Sequence, residues 1–338
     1  MMARKTLVAA AVAAAAAAAA WRAAMLWNEG REIPVLMYHN VLPDDGTLTV
    51  WQVSEDEFAR QMRELDHGGY TPILPDDIYW AARGLRLLPR KPVAITFDDG
   101  YEGVMKYAEP ILAEHGFRAI CYVIVGRLGG EGADRGAFDS GPLLSTNEVS
   151  AMARRGTIAI GSHSMTHVPA WRQLAMEIPE SRYALRRLTG VKTKSYCYPH
   201  GLCGYDDMNA ALRHGKFRTA LACGDAMFHF SRGADLYAIP RVSVYGGRHE
   251  FEIRDFGAGE GRAAATVRNV GAPMPVRCML VERRTGRVHI SDGAAVRIGQ
   301  GRRNTVPEAT FEWTGLPKGL GTGDFEAVVC EQNGLFTY

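Results

Sequence analysis

The chain has 338 residues, which is more than one ordinary domain needs and is enough for two domains. Hydrophobic residues make up 47% and charged residues 22% of the sequence, which is ordinary for a globular protein and argues against a long disordered region. The formal net charge is +2 at pH 7 and no dense run of Lys and Arg occurs, so the charge pattern does not indicate a nucleic-acid partner.

The first 25 residues differ from the rest of the chain. Arg4 and Lys5 precede an apolar run, residues 6–21, that is nearly all alanine. This pattern is typical of a secretory signal, and the alanines at 18–20 or 23–24 would supply a cleavage site. The alternative is an uncleaved anchor, although the run is slightly short and weakly hydrophobic for a membrane span. Both interpretations predict export, to the periplasm, to the cell exterior or to the envelope membrane through this segment.

From about residue 33 to residue 244, short apolar runs alternate with amphipathic stretches. The runs are rich in β-branched and aromatic residues, as buried strands are, and cover residues 33–38, 93–97, 119–125, 157–161, 195–198, 218–222 and 238–244. Among the amphipathic stretches, one starts at Ser54 with Glu57 three residues later, which predicts a capped helix N-terminus. This alternation predicts an α/β fold with a parallel sheet, and seven or eight strands favour a (β/α) barrel over an open sheet.

After about residue 251 the pattern changes to short alternating strands separated by turn residues, without a helical period. This indicates a small C-terminal all-β sandwich domain. The predicted organisation is therefore a signal or anchor over residues 1–25, a barrel over 31–247 and an all-β accessory domain over 251–338.

The role of the all-β region is open, because glycan binding, partner docking and covering of the barrel all fit the pattern. Trp313, Phe311 and Tyr338 are candidate sugar-stacking residues, although such aromatic residues more often belong to the core. Cys278 and Cys330 lie in strand-like runs of this region and are the first candidates for a disulfide in an oxidising compartment.

Two polar motifs follow apolar strands directly. The strand at 93–97 is followed by Asp98, Asp99 and Gly100, a combination that is also common in simple turns. The strand at 157–161 is followed by His163 and His167, and one turn of helix would place both imidazoles on one side. An isolated pair with this spacing is more often a pair of surface or capping histidines.

Together the two motifs provide one carboxylate and two imidazoles, a three-ligand site that leaves positions open for water and substrate. The two adjacent carboxylates cannot point the same way from an extended chain, so the second is free to act as a base. A metal in such a site lowers the pKa of bound water to about 7, which suits attack on a carbonyl carbon.

Two further strands end in residues that suit the same chemistry. His39 follows the strand at 33–38 and could supply a proton to a leaving group, although a lone histidine there is more often a structural hydrogen-bonding residue. Tyr198 precedes Pro199, which has no amide hydrogen, so the Tyr198 amide is a candidate donor to an oxyanion. The alternative for Tyr198 is a turn with an aromatic wall. Polar groups at several strand ends are expected of an active site at the carboxyl face of a barrel.

These motifs resemble those of the polysaccharide deacetylase family. The segments that carry the resemblance are TFDDG at 96–100, HSMTH at 163–167, YPHG at 198–201 and VLMYHNV at 35–41. The last resembles the subgroup with an early catalytic histidine, to which deacetylases of poly-N-acetylglucosamine belong. The resemblance covers about residues 33–244 and implies a distorted (β/α) barrel.

The resemblance also implies a role for each matching residue. Its assignments are Asp98 as the general base, His39 as the general acid, Tyr198 in the oxyanion site, and Asp99, His163 and His167 as the metal ligands. Many family members carry an arginine shortly before the Tyr-Pro motif that steadies the base, whereas Lys194 and Ser195 stand there in this chain. Arg241 is the candidate to replace that arginine beside the base. The usual late LxH acid motif is also missing, which fits an early His39.

The implied cofactor is a divalent metal, Zn²⁺ first, with Co²⁺ or Ni²⁺ as alternatives. The implied partner is an acetylated polysaccharide, and the implied reaction is hydrolysis of N-acetyl groups on an amino-sugar polymer of the cell envelope. Alternatives are removal of O-acetyl esters from a glycan and a non-catalytic glycan-binding or export accessory protein. A two-His-one-carboxylate iron oxygenase is disfavoured by the strand–helix alternation. The linkage of the polymer and the oligomeric state are not indicated by the sequence.

Overall fold

The computed structural model describes most of the chain. The described residues are 2–45, 48–49, 51–130, 136–138, 141–168, 171–201, 203, 206–223, 226–231, 233–246, 251–269, 276–282, 288–290, 294–295, 308–313, 316–317, 319–320 and 322–331. The chain divides into two compact units. They are Met1–Asp45 with Trp51–Tyr245, and Gly46–Val50 with Gly246–Tyr338.

The larger unit contains strands and helices in alternation. Its described strands are β1 (Glu32–Ile33), β2 (Val35–Tyr38), β3 (Asn40–Leu42), β4 (Gln52–Ser54), β5 (Thr71–Pro72), β6 (Pro92–Phe97), β7 (Ala119–Val123), β8 (Ala137–Phe138), β9 (Gly141–Pro142), β10 (Ile158–Ser162), β11 (Ser195–Cys197), β12 (Thr219–Leu221), β13 (Phe228–His229) and β14 (Val242–Ser243). Its described α-helices are α1 (Met2–Asn28), α2 (Glu55–His67), α3 (Pro75–Ala81), α4 (Glu109–Glu114), α5 (Thr146–Arg155), α6 (Trp171–Thr189) and α7 (Asp206–His214). A π-helical segment, Val104–Ala108, leads directly into α4.

A parallel sheet forms the centre of this unit. Its strand order is β12-β11-β10-β7-β6-β2-β14, and β5 adds a short pairing to β6. Every residue of β2, β6 and β7 is buried, as expected for strands covered on both faces. A parallel bridge between Leu221 and Ile239 connects β12 with the segment just before β14, so the two ends of the curled sheet meet at this point. The prediction of a distorted (β/α) barrel is confirmed.

Local sequence signals explain where helix α2 begins and which face it buries. Ser54 is the N-cap, and its hydroxyl oxygen accepts a hydrogen bond from the Glu57 amide at 3.1 Å. Phe58, Met62 and Leu65 are spaced three or four residues apart and are buried together. The predicted N-terminus of this helix is therefore found at Ser54.

The N-terminal helix α1 contacts the barrel through its last turns. Trp21 and Trp27 donate indole hydrogen bonds to the carbonyl oxygens of Arg83 and Leu88, at 2.7 and 2.9 Å. Asn28 is fully buried and accepts a hydrogen bond from the Leu88 amide at 2.9 Å. Among the helices that the structure describes, none is both long enough and apolar enough to cross a membrane.

The smaller unit is built from antiparallel strands. They are β15 (Phe251–Gly259), β16 (Arg262–Asn269), β17 (Val276–Glu282), β18 (Val288–Ile290), β19 (Ala294–Ala295), β20 (Glu308–Trp313) and β21 (Phe325–Glu331). They form one sheet of order β15-β16-β20-β19 and another of order β18-β17-β21. In the second sheet Cys278 is opposite Val329, and Cys330 is opposite Arg277. The side chains of both cysteines, and of the predicted aromatic residues 311, 313 and 338, lie outside the described part.

Candidate active site

The predicted site residues meet at the carboxyl ends of the parallel strands. They line a cavity of about 380 Å³ together with residues to which the sequence analysis assigned no role. The predicted members are His39, Asp98, Asp99, His163, His167 and Tyr198, and the added ones are Met37, Trp51, Tyr101, Phe138, His200 and Cys223. Because β2, β6, β10 and β11 are parallel, the residues that follow them converge at one end of the barrel.

Asp99, His163 and His167 are close enough to share one ion. The Oδ1 atom of Asp99 lies 3.5 Å from Nε2 of His163 and 3.5 Å from Nε2 of His167. Ligand atoms around a tetrahedral zinc ion with bonds of about 2.1 Å are separated by about 3.4 Å. The donor atoms and their spacing therefore fit a divalent metal, with coordination positions left for water and substrate.

The backbone at two of these residues is in a conformation that non-glycine residues rarely adopt. Asp99 has φ 67° and His167 has φ 60°, both in the left-handed region. Such strain persists only where the surroundings impose it, and it concentrates at functional sites. At Asp99 the left-handed turn, continued by Gly100 at φ 85°, separates its carboxylate from that of Asp98. The adjacent acids can thus have different partners.

The expectation that one helical turn aligns His163 and His167 is wrong. The segment between them is a non-helical turn in which Ser164 also has a positive φ and its hydroxyl accepts the His167 amide at 3.0 Å. The buried carboxylate of Glu177 in α6 accepts hydrogen bonds from the amides of Met165 and Thr166, both at 3.0 Å. This turn brings the two imidazole centroids to 4.9 Å. Glu177 was not predicted, because its contact joins a helix to a distant loop.

Hydrogen bonding and burial keep both histidines suited to metal binding. Nδ1 of His163 donates to the carbonyl oxygen of Cys197 at 2.9 Å, which leaves the lone pair of Nε2 available beside Asp99. Burial lowers the pKa of His163 to about 4. Burial, with the nearby His163 and His200, lowers the pKa of His167 to about 3. Both imidazoles are therefore neutral at pH 7, as metal ligands must be.

Asp98 is held by Arg241, the residue that the sequence analysis named as a candidate. The guanidinium is fully buried and binds both carboxylate oxygens, with Nη1–Oδ1 and Nη2–Oδ2 distances of 2.7 Å. Its Nε donates to the carbonyl oxygen of Ala222 at 2.9 Å, and this bond fixes the orientation of the guanidinium group. Burial alone would raise the pKa of Asp98, but Arg241 and the neighbouring His163 and His39 hold it below the usual range. The carboxylate is therefore ionised at neutral pH.

Asp98, His163 and Cys197 form a second group whose ligand atoms lie close together. Both oxygens of Asp98 are bound by Arg241, and burial raises the pKa of the Cys197 thiol well above its ordinary value. The thiol therefore stays protonated, and it donates to the Asp98 carboxylate from 3.5 Å. These contacts fix the Asp98 carboxylate, and a protonated thiol beside an arginine-bound carboxylate is a poor set of metal ligands.

His39 lies beside Trp51, with ring centroids 4.6 Å apart. Its Nδ1 is buried and has no hydrogen-bond partner in the described part of the chain. Burial lowers the pKa of His39 to about 4, an effect that the charge of Asp98 partly offsets. The imidazole is therefore neutral at pH 7.

The expectation that the Tyr198 amide stabilises an oxyanion does not hold. This amide donates a hydrogen bond of 3.0 Å to the carbonyl oxygen of Leu221, which continues the pairing of β11 with β12. The Tyr198 hydroxyl donates to the carbonyl oxygen of Tyr237 at 2.9 Å. Both groups are occupied by structural contacts, so Tyr198 forms a wall of the cavity.

One carboxylate and two imidazoles that could share an ion, beside a fixed carboxylate at the strand ends of a barrel, form an arrangement compatible with metal-assisted hydrolysis. Residues 86–218 match the family model described as polysaccharide deacetylase. Over these residues the chain is similar to the polysaccharide deacetylases.

Similar proteins carry the same family description. YxkH of Bacillus subtilis (strain 168), whose name places it among the polysaccharide deacetylases, is 26% identical over 63% of this chain and 71% of its own length. A poly-β-1,6-N-acetyl-D-glucosamine N-deacetylase of Staphylococcus aureus (strain MSSA476) is 24% identical over 49% of this chain, which spans 60% of that relative. The solved structure of IcaB from Ammonifex degensii matches with a TM-score of 0.55 and 26% identity, covering 64% of this chain and 93% of that one.

Proposed function

We propose that this protein removes N-acetyl groups from an amino-sugar polysaccharide of the poly-N-acetylglucosamine kind by metal-assisted hydrolysis. The observation that carries the proposal is the pairing, in one cavity, of an arginine-held carboxylate with the Asp99, His163 and His167 group. The substrate class is supported by the staphylococcal relatives, which are named poly-β-1,6-N-acetyl-D-glucosamine N-deacetylases. We also propose that the protein acts outside the cytoplasm, on the basis of its N-terminal pattern.

Asp99, His163 and His167 would hold the metal, for which zinc is the first candidate and cobalt or nickel the alternatives. A cation there would polarise the acetyl carbonyl and lower the pKa of a water molecule in the cavity. Asp98 is ionised and accepts a proton from that water as it attacks the carbonyl carbon. Arg241 keeps both oxygens of Asp98 fixed while this happens.

The departing nitrogen must gain a proton before the carbon–nitrogen bond breaks. His39 enters the reaction neutral because burial lowers its pKa to about 4. We therefore assign His39 the transfer of the proton that Asp98 has taken from water to the departing nitrogen. The products are acetate and a free amine on the sugar.

The test is acetate release from β-1,6-linked N-acetylglucosamine oligomers, measured with added Zn²⁺ and with a chelator. We expect release that needs the metal and that falls by about 10² to 10⁴ in Asp98→Asn, because the general base is lost. Asp98→Asn should still bind Zn²⁺, whereas Asp99→Ala should lose both metal binding and activity.

The O-acetyl esterase alternative is tested by the same experiment with an O-acetylated xylan as the second substrate. A free amine in the product supports N-deacetylation. Acetate release from xylan alone would show that the protein hydrolyses O-acetyl esters and would contradict the proposed N-deacetylation. Unchanged activity in Asp98→Asn would contradict the assignment of Asp98 as the general base.

A further inference from the structure

Trp51 is a large aromatic residue at a polar cavity, and part of its side chain remains open to solvent. The residue lines the cavity and is 41% exposed. Its carbonyl oxygen accepts a hydrogen bond from the Asn40 amide at 3.1 Å, and β3 and β4 pair in parallel immediately after it. Trp51 is thereby placed next to His39, although eleven residues separate them in the sequence.

The ring of Trp51 contacts two other rings. Its centroid lies 4.6 Å from that of His39 and 5.5 Å from that of Tyr245, with interplanar angles of 51° and 50°. These contacts orient the indole and leave the remaining surface accessible. An accessible aromatic surface beside a few polar groups is typical of a ligand-binding pocket.

The position of His39 indicates which part of a substrate Trp51 faces. The nitrogen that receives the proton from His39 is attached to the sugar ring, so the sugar must lie beside His39. The acetyl carbonyl must lie at the other side of the scissile bond, near Asp98 and the three metal ligands. A side chain packed against His39 therefore faces the sugar and not the acetyl group.

Phe138 is another aromatic wall of the cavity, and its surroundings differ from those of Trp51. Phe138 packs against His167, with ring centroids 5.0 Å apart, and the Arg127 guanidinium lies 4.7 Å from the Phe138 centroid. Phe138 thus lies at the metal ligands and is partly covered by a charged group. Of these two walls, Trp51 is the one that combines exposure with contact to the proposed acid.

We propose that Trp51 is the platform against which the apolar face of the acetylated pyranose ring stacks. The inference rests on the proposed function, because it uses the role of His39 to orient the substrate. Trp51 contributes specificity for a sugar substrate by burying one face of the ring against the indole, as aromatic side chains do with apolar surface.

The experiment compares two substrates that differ in the sugar. One is a β-1,6-linked N-acetylglucosamine tetramer, and the other is N-(2-hydroxyethyl)acetamide, which has the same acetamide and an amine leaving group but no sugar. We expect Trp51→Ala to lower kcat/KM for the tetramer at least about tenfold more than for the small acetamide. Trp51→Phe should restore most of the lost activity on the tetramer, because it keeps an aromatic face.

The matched control is Trp27→Ala. Trp27 is 47% exposed but lies on α1 and does not line the cavity, so both substrates should be hydrolysed as by the unaltered protein. Equal losses on the two substrates in Trp51→Ala would mean that Trp51 only supports His39, and no loss would mean that it has no role. Either result overturns the proposal. If the unaltered, zinc-loaded protein releases no acetate from the tetramer, the proposed function fails, and this inference fails with it.

Discussion

Arg241 and Asp98 form an ion pair from which solvent is excluded. Taking two charges out of water costs several kcal/mol each, and this cost is offset only when the pair is well aligned and its remaining hydrogen bonds are satisfied. The bidentate contact and the additional bond from Nε to Ala222 meet this requirement. The pair therefore fixes the orientation of the Asp98 carboxylate, and its stability depends on both partners.

Arg241→Gln should lower the free energy of unfolding by about 3–5 kcal/mol, because it leaves the Asp98 carboxylate buried without its partner. The control is Arg60→Gln, which removes a partly exposed pair with Glu57 and should cost less than about 1 kcal/mol. Urea denaturation measures the loss of unfolding free energy in both variants. The double variant Asp98→Asn/Arg241→Gln should cost less than the sum of its single variants, and strict additivity would contradict a coupled pair.

At the scale of a structural element, the turn after β6 determines where Asp99 points. Gly100 has φ 85°, and a methyl group on its Cα would lie 2.8 Å from Val123 Cγ1 and 3.2 Å from Val123 Cα. The Asp-Asp-Gly motif thus needs glycine for two reasons, the backbone conformation and the close approach of β7. The sequence analysis noted the motif but could not predict the second reason, since Val123 is distant in the chain.

Gly100→Ala should be more destabilising than Gly116→Ala. Gly116 also has a positive φ, 64°, but a methyl group there meets nothing within 4 Å. Gly116→Ala should therefore lower the free energy of unfolding only by the conformational cost of roughly 1–2 kcal/mol. Gly100→Ala should add about 1–3 kcal/mol from the clash with Val123. Urea denaturation of the two variants gives the difference. Equal losses of unfolding free energy in the two variants would show that β7 can shift to accommodate the methyl group at residue 100.

For the whole molecule, the buried His39 links stability to pH. Its pKa of about 4 in the folded protein lies below the ordinary value of 6.5, so the folded state binds a proton less readily than the unfolded state. The stability contributed by neutral His39 is complete above about pH 6.5 and is lost as the pH falls toward 4. The loss between pH 6.5 and pH 5 should be about 2 kcal/mol.

This prediction is checked by urea denaturation at several pH values, with a chelator present, for the unaltered protein and His39→Gln. The other titrating groups are common to both proteins, so their difference isolates His39. His39→Gln should lose about 2 kcal/mol less between pH 6.5 and pH 5. If the free energy of unfolding changes with pH in the same way in both proteins, His39 has the same pKa in the folded and unfolded states.

The sequence by itself determined the barrel and the members of its site. Strand–helix alternation is a local pattern, and in a parallel sheet the residues after each strand must converge, so Asp98, Asp99, His163 and His39 could be grouped before any coordinates were known. The candidacy of Arg241 came from the family resemblance, and its contact with Asp98 came from the structure.

Only the tertiary structure decided how those residues are used. The non-helical turn between His163 and His167 depends on Glu177, the Tyr198 amide is taken by Leu221, and Trp51 reaches His39 through the pairing of β3 with β4. Each of these outcomes depends on a partner more than ten residues away in the chain. Local patterns do not specify such partners, because the contacts form only when strand register and helix packing bring them together.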